Sequence, residues 1–373
     1  MRVLLITTQF APELGGVPRL LEQYCAHRPG EVEVRVLSVQ QQAPEFYAAY
    51  DRAAAYPIER VAANGLKGAT SLRVMWRLWQ TIRAWRPAVV LCGVAYPSAI
   101  VTWLITRLTR TPYVSYAHSE DILPITGVRR QALARALRQA QAVITVSAFT
   151  RRALIELGVP TGRITVIPPG IEVQRYASKP GAAAPGTWTL MTVGRLVLRK
   201  GQDTVIRALP HVIAAVPNVR YIVAGDGPDA SALRDLAAGL GVADRVNFTG
   251  ALADEAVRAL YQTCDVFVLP TRPAAGEVEG FGIVFLEAAA AGKPVIAGRA
   301  GGTSDAVIDG VTGVLIDPTD VNALAQAIIA VARDPDTARR LGAAGRDRVG
   351  REFSIELVAE RVTRVLKSSE VSS

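Results

Sequence analysis

The chain has 373 residues, half of them hydrophobic, enough for two cores of ordinary size and too apolar for wholesale disorder. Three cysteines, Cys25, Cys92 and Cys264, are odd in number and far apart, which argues against a disulfide scaffold or a cysteine-built zinc site and fits a reducing compartment. Net charge is +9 and unevenly placed: residues 1–170 hold 20 basic and 10 acidic side chains, residues 171–373 hold 22 and 23, so an anionic partner is expected for the first half.

The opening MRVLLITTQF lacks the apolar run and cleavage site of a signal peptide. The apolar run from Tyr96 to Thr106 falls short of the ~20 residues of a membrane-spanning helix. The expectation is a cytoplasmic protein, with peripheral contact at the inner face of the cell membrane as its alternative.

Strands are predicted at Val3–Thr7, Val32–Ser38, Val89–Cys92, Tyr113–Tyr116, Val143–Val146 and Ile164–Ile167, mostly as near-continuous apolar runs of the kind that parallel sheets bury on both faces. Between them, 71–87 reads as an amphipathic helix. Apolar residues at 72, 75, 76, 79 and 82 form one stripe beside Arg73, Arg77, Arg83 and Arg86, and this stripe suits either the protein's own core or an anionic membrane. The Pro/Gly/Ala-rich stretch 170–186 reads as a linker. The second half repeats the alternation, with strands at Thr189–Val193, Tyr221–Ala224, Val246–Phe248, Val266–Leu269, Val295–Ala297 and Val314–Ile316 and helices between them. Phe353–Lys367 has helical spacing and is expected to pack back on the first domain. The pattern predicts an α/β protein of two doubly wound, Rossmann-like domains facing a central cleft: 1–170, and 171–352 with the 353–373 helix returning to the first.

Five segments offer chemistry. Gly15 and Gly16 follow the first strand, where backbone can approach a ligand at a helix start; the pattern is not the G-x-G-x-x-G of a nicotinamide site. Arg195 and Lys200 lie five residues apart on a glycine-flanked loop, as a diphosphate requires. Glu279 and Glu287 flank Gly-Phe-Gly, with the N–H groups of Phe281, Gly282 and Ile283 at a helix start suited to phosphate and the two acids suited to vicinal hydroxyls. His118 closes a strand, where a lone histidine is often a satisfied structural residue, and no second ligand stands at metal spacing. The fifth segment is the 71–87 helix.

These motifs resemble the retaining glycosyltransferases of family 4, which have the GT-B fold. The carriers are the Gly15–Gly16 loop, VSAFTRRAL near Ser147, VIPPGIE at 166–172, VGRLVLRKG at 193–201, VAGDGP at 223–228 and the E-x7-E signature from Glu279 to Glu287. Within the family, EVEGFGIVFLEAAAAGKPVIAG is most similar to the phosphatidylinositol-mannoside α-mannosyltransferases. The resemblance implies an acceptor-binding first domain and a nucleotide-sugar-binding second domain. It assigns Arg195 and Lys200 to the donor diphosphate, Glu287 to the ribose, and Glu279 with the Phe281–Ile283 backbone to the sugar and distal phosphate. Leu252 would meet the base, Gly16 would admit the diphosphate, and His118 would line the reacting centre. It also implies front-face attack with retention, no metal and no bound cofactor. GDP-mannose is the first choice of donor, with UDP-glucose and UDP-GlcNAc open. The acceptor is a hydroxyl, with an anionic lipid of phosphatidylinositol type or a soluble or polysaccharide acceptor as the alternatives. A GT-B sugar-nucleotide 2-epimerase competes. A nucleic-acid partner, which pI ≈ 9.7 alone would allow, is not expected, because no recognition motif accompanies the charge.

Overall fold

The computed structural model describes residues 1–63, 69–177 and 186–370. They form two compact units, Met1–Gly170 with Ile355–Ser373, and Ile171–Ser354. The expected 170–186 linker lies partly outside the described residues. Its described part is no linker: Ile171 and Tyr176 are buried in the second unit, and Ile171 donates its N–H to the Phe353 carbonyl at 2.9 Å. Two large apolar side chains in a Gly/Pro context anchor that segment.

The first unit holds a seven-stranded parallel sheet of β1 (Arg2–Thr7), β2 (Glu33–Gln40), β3 (Ile58–Ala62), β4 (Val89–Cys92), β5 (Tyr113–Ala117), β6 (Ala142–Thr145) and β7 (Ile164–Val166), in the order β3-β2-β1-β4-β5-β6-β7. Central strands β4, β5 and β6 are buried at every residue, which is why they read as unbroken apolar runs. Strand β3 escaped the sequence reading because an edge strand is covered on fewer sides: IERVA carries Glu59 and Arg60 and has one buried residue, Val61.

Helices Ala69–Trp85, Ser98–Thr109 and Gly127–Gln139 lie side by side, the second between the other two, and share one core with the sheet. The stripe predicted on the first of them straddles two faces. Val74, Leu78, Ile82 and Trp85 enter the core, whereas Leu72 (69 % exposed) and Trp76 (56 %) do not. Tail helix Ile355–Ser368 packs on the first unit, where Lys367 pairs with Glu31 at 2.9 Å and Gly170 abuts the Ile355 backbone. Phe353 belongs instead to the second unit, edge-on to Phe281.

The second unit holds six parallel strands, β8 (Trp188–Val193), β9 (Val219–Ala224), β10 (Val246–Gly250), β11 (Val266–Leu269), β12 (Val295–Gly298) and β13 (Val314–Ile316), in the order β10-β9-β8-β11-β12-β13. In each sheet the winding direction reverses once, between β1 and β4 and between β8 and β11. Loops leaving the carboxyl ends of those pairs diverge and leave a crevice suited to a ligand. No helix among the described residues is long and apolar enough to cross a membrane.

Candidate active site

In the second unit, the loop after β8 carries Arg195, Arg199 and Lys200, and the loop after β11 carries Arg272, Glu277 and Glu279. The two loops meet at the switch point. Gly201 makes this contact feasible: its φ is +75°, and a Cβ there would sit 2.1 Å from the Pro270 carbonyl oxygen. Arg272 then ties the loops together. Its N–H donates to the Arg199 carbonyl at 2.8 Å, and its guanidinium grips both oxygens of Asp203 at 2.8 Å and the Thr204 hydroxyl at 2.7 Å.

Glu279 lies between two cations. Arg199 donates to its Oε2 at 3.1 Å, and the Lys200 ammonium makes a close contact with the same oxygen. Burial works against the charged carboxylate, but the Lys200 and Arg199 charges and hydrogen bonds outweigh it, so the Glu279 carboxyl lies below its ordinary range. Arg199 also reaches Glu277 at 3.0 Å. Sequence reasoning paired Lys200 with Arg195 instead. The Arg195 side chain is exposed and has no hydrogen bond or ion pair among the described residues, while its carbonyl accepts from the buried Gln202 amide at 3.2 Å. Arg199 was missed because an arginine beside a lysine on a turn carries no signal until Glu279 closes over it.

Phe281 is buried, Gly282 caps the helix Ile283–Ala290 with φ +89°, and a Cβ at Gly282 would sit 2.5 Å from the Phe285 ring. The backbone N–H groups of Phe281, Gly282 and Ile283 have no acceptor among the described residues, so they present the positive end of the helix. Glu287 lies inside this helix and is 2 % exposed. Tyr176 donates to its Oε1 at 3.1 Å and Tyr261 to its Oε2 at 2.9 Å. Burial and the neighbouring carboxylate push the Tyr261 hydroxyl far above its usual pKa, so it is a permanent donor. Neither tyrosine was singled out by the sequence. Leu252 is half-buried on the loop after β10, at the same carboxyl edge but at the far end of that side of the sheet.

In the first unit, Gly15 caps the helix Gly16–His27 with φ +152°, and Gly16 begins it with open space where a Cβ would lie. His118 follows β5 and is 6 % exposed, stacked on Tyr116 with 5.7 Å between centroids. Its Nε2 lies 3.2 Å from the Gly93 carbonyl, which only accepts, so this nitrogen carries the hydrogen. Asp121, unnoticed in the sequence, accepts from the His118 N–H at 2.8 Å and the Ala95 N–H at 2.6 Å, joining the loops after β4 and β5. Burial raises its carboxyl to about 6 against the opposing influence of His118 and the two N–H bonds.

Two family models cover nearly the whole chain: Glycosyltransferase Family 4 over residues 14–175 and Glycosyl transferases group 1 over residues 175–348. A GDP-mannose-dependent alpha-(1-6)-phosphatidylinositol monomannoside mannosyltransferase of Mycolicibacterium smegmatis is 35% identical over 92% of each chain. A Corynebacterium glutamicum enzyme, the GDP-mannose-dependent monoacylated alpha-(1-6)-phosphatidylinositol monomannoside mannosyltransferase, is 31% identical over 98% of each. Among solved structures, Anabaena HepE in complex with UDP superposes with a TM-score of 0.84 at 22% identity, covering 99% of this chain and 100% of that one. Two doubly wound sheets, the E-x7-E helix with its cationic partners, and this similarity along the whole chain lead to one assignment: the protein is a family 4 glycosyltransferase of the GT-B fold.

Proposed function

We propose that the protein transfers mannose from GDP-mannose to a hydroxyl of an anionic, phosphatidylinositol-type lipid, with retention at the anomeric carbon and without a metal ion. The observation that carries the reading is the Glu279 cluster. Arg199 and Lys200 converge on one carboxylate beside three free N–H groups of a helix start, at the switch point of the second sheet. Mycobacterial and corynebacterial relatives that share this chain's length and order supply the donor and the acceptor class.

A leaving diphosphate gains negative charge as the glycosidic bond breaks. Lys200 and the N–H groups of Phe281, Gly282 and Ile283 are fixed positive groups suited to that charge, the condition for electrostatic catalysis, and the exposed Arg195 adds a further cation. Glu279, kept ionised by its two cations, accepts hydrogen bonds from sugar hydroxyls. Glu287 reads the ribose, and Leu252 lies against the base. Cationic side chains take the part a metal would otherwise play. In the first unit, His118, held as the Nε2–H tautomer by Gly93, and Gly15–Gly16 occupy the loops at the carboxyl edge of the sheet. The reaction takes place at the inner face of the cell membrane, where a charged, water-soluble donor meets a lipid acceptor.

The test is a panel of nucleotide sugars read by thermal shift, followed by transfer of labelled mannose to a phosphatidylinositol mannoside. A donor at 100 times its dissociation constant adds ~2.7 kcal/mol of stability. GDP-mannose giving the largest shift and a labelled lipid product is the expected result. A shift with UDP-glucose alone moves the assignment to a UDP-sugar enzyme. Conversion of UDP-GlcNAc without an acceptor replaces it with an epimerase.

A further inference from the structure

A cavity of about 360 Å³ opens in the first unit at the amino ends of β1, β2 and β3, between these strands and the helix Ala69–Trp85. Side chains alternate across a strand, so Arg35 shares a face of β2 with Leu37. Leu37 packs into the core with Val74, Leu78, Ile82 and Trp85 of that helix. An arginine therefore stands where the pattern asks for an apolar side chain under a helix. Leu4, Leu37 and Ala84 give the cavity apolar walls, and Arg35, Gln80 and Thr81 give it polar groups.

Arg35 is held without a counter-ion. Its guanidinium lies 4.6 Å from the Trp85 ring centre, and a ring attracts the cation but offers no lone pair to its N–H groups. The Arg35 Nε is buried without a partner, and the side chain makes no hydrogen bond or ion pair among the described residues. Neighbouring cations are neutralised: Arg2 pairs with Glu33 at 3.3 Å, and Arg77 is in close contact with Glu59. One uncompensated positive charge is left at the cavity, and a half-buried charge of this kind is costly until an anion joins it. Arg77 also donates to the Gln80 Oε1 at 3.0 Å, which leaves the Gln80 amide hydrogens as further donors.

We infer that the Arg35 cavity binds a small organic carboxylate with an apolar body. A single uncompensated cation takes a single negative charge, and the N–H fork of a guanidinium matches the two oxygens of a planar carboxylate. Leu4, Leu37 and Ala84 then cover the hydrocarbon or aromatic part, as apolar walls do around a few convergent polar groups. The cavity lies at the sheet edge opposite the Gly15–Gly16 and His118 loops, so this ligand is neither the donor nor the acceptor of the proposed transfer. The inference goes beyond that reaction and stands whichever donor the enzyme uses.

The experiment is isothermal titration calorimetry of the full chain with hexanoate and benzoate, compared with acetate, 1-hexanol and inorganic phosphate. Hexanoate and benzoate are expected to bind. Acetate, which lacks the apolar body, and 1-hexanol, which lacks the charge, should each bind about 10-fold or more weakly. Arg35→Gln should weaken hexanoate by about 10-fold to 100-fold. Ala84→Phe, which narrows the cavity and leaves the Arg35 charge in place, should weaken benzoate more than acetate. Arg340→Gln, at an exposed arginine of the second unit, should bind as the parent does. Urea unfolding read by circular dichroism shows that each variant folds. Absence of hexanoate and benzoate binding by the parent overturns the inference, as does parent-like binding of hexanoate by Arg35→Gln or of benzoate by Ala84→Phe. Tighter binding of inorganic phosphate than of hexanoate also overturns it, because that marks a phosphate site.

Discussion

Tyr176 and Glu287, 111 positions apart, are joined by a buried hydrogen bond of 3.1 Å, and Tyr261 holds the other carboxylate oxygen at 2.9 Å. The segment after Gly170 is thereby fastened to the helix that carries the E-x7-E signature. Removing the carboxylate strands two buried hydroxyls, so Glu287→Ala should cost about 2–4 kcal/mol and Tyr176→Phe about 1 kcal/mol. Urea unfolding of both variants and their combination checks this; additive losses would show that the pair is not coupled.

Lys200 and Arg199 differ in what their loss leaves behind. Lys200→Ala removes a cation proposed to face the leaving diphosphate and should lower kcat by roughly 10²–10³. Arg199→Ala leaves Lys200 on Glu279 and removes one charge-assisted bond, for a loss of about 10-fold to 100-fold. Steady-state kinetics with saturating donor separates the two, and equal losses would place Arg199 on the substrate itself.

Asp121 and Glu279 should give opposite pH dependence of stability. Asp121 titrates at about 6 in the folded chain, against about 3.9 unfolded. The folded state therefore binds more protons between these values, and the Asp121 contribution is full below pH ~4 and lost as pH rises through ~6. Glu279 is held below its unfolded value, so its contribution is present above about pH 4.3 and lost as pH falls. Asp121→Asn should abolish the decline between pH ~4 and ~6. It also sets an amide donor against a backbone donor, costing ~1–3 kcal/mol. Chemical denaturation at pH 4.5, 6 and 7.5 measures both effects; an unchanged slope in Asp121→Asn would assign the dependence elsewhere.

Gly282→Ala combines an unfavourable φ of +89° with a Cβ 2.5 Å from the Phe285 ring. It should destabilise the second unit by about 1–3 kcal/mol and displace the N–H groups of residues 281–283. Calorimetry and donor titration together test this. A normal donor affinity would mean that the helix start does not bind the diphosphate.

The architecture was legible in the sequence because parallel strands covered on both faces must be apolar throughout. Val89–Cys92, Val266–Leu269 and Val314–Ile316 were bounded to the residue. Edge strand β3 was not, since Glu59 and Arg60 interrupt its apolar run and it has one buried residue, Val61. The motifs named Lys200, Glu279 and Glu287 because glycine spacing and carboxylates leave a local trace. Arg199, Tyr176 and Tyr261, which bind Glu279 and Glu287, Arg272, which ties the two loops, and Asp121, which joins the His118 loop to Ala95 in the first unit, come from loops or helices whose local composition is ordinary, and only the tertiary structure decided their contacts. The same division applies to the helix Ala69–Trp85. Periodicity showed that it was amphipathic, but the packing of Val74, Leu78 and Ile82 into the core is what left Leu72 and Trp76 outside. A sequence determines which faces must be buried, since that follows from side-chain chemistry every few residues. Which distant groups then share a hydrogen bond depends on how the strands are ordered in the sheet, and that order is set by the whole chain at once.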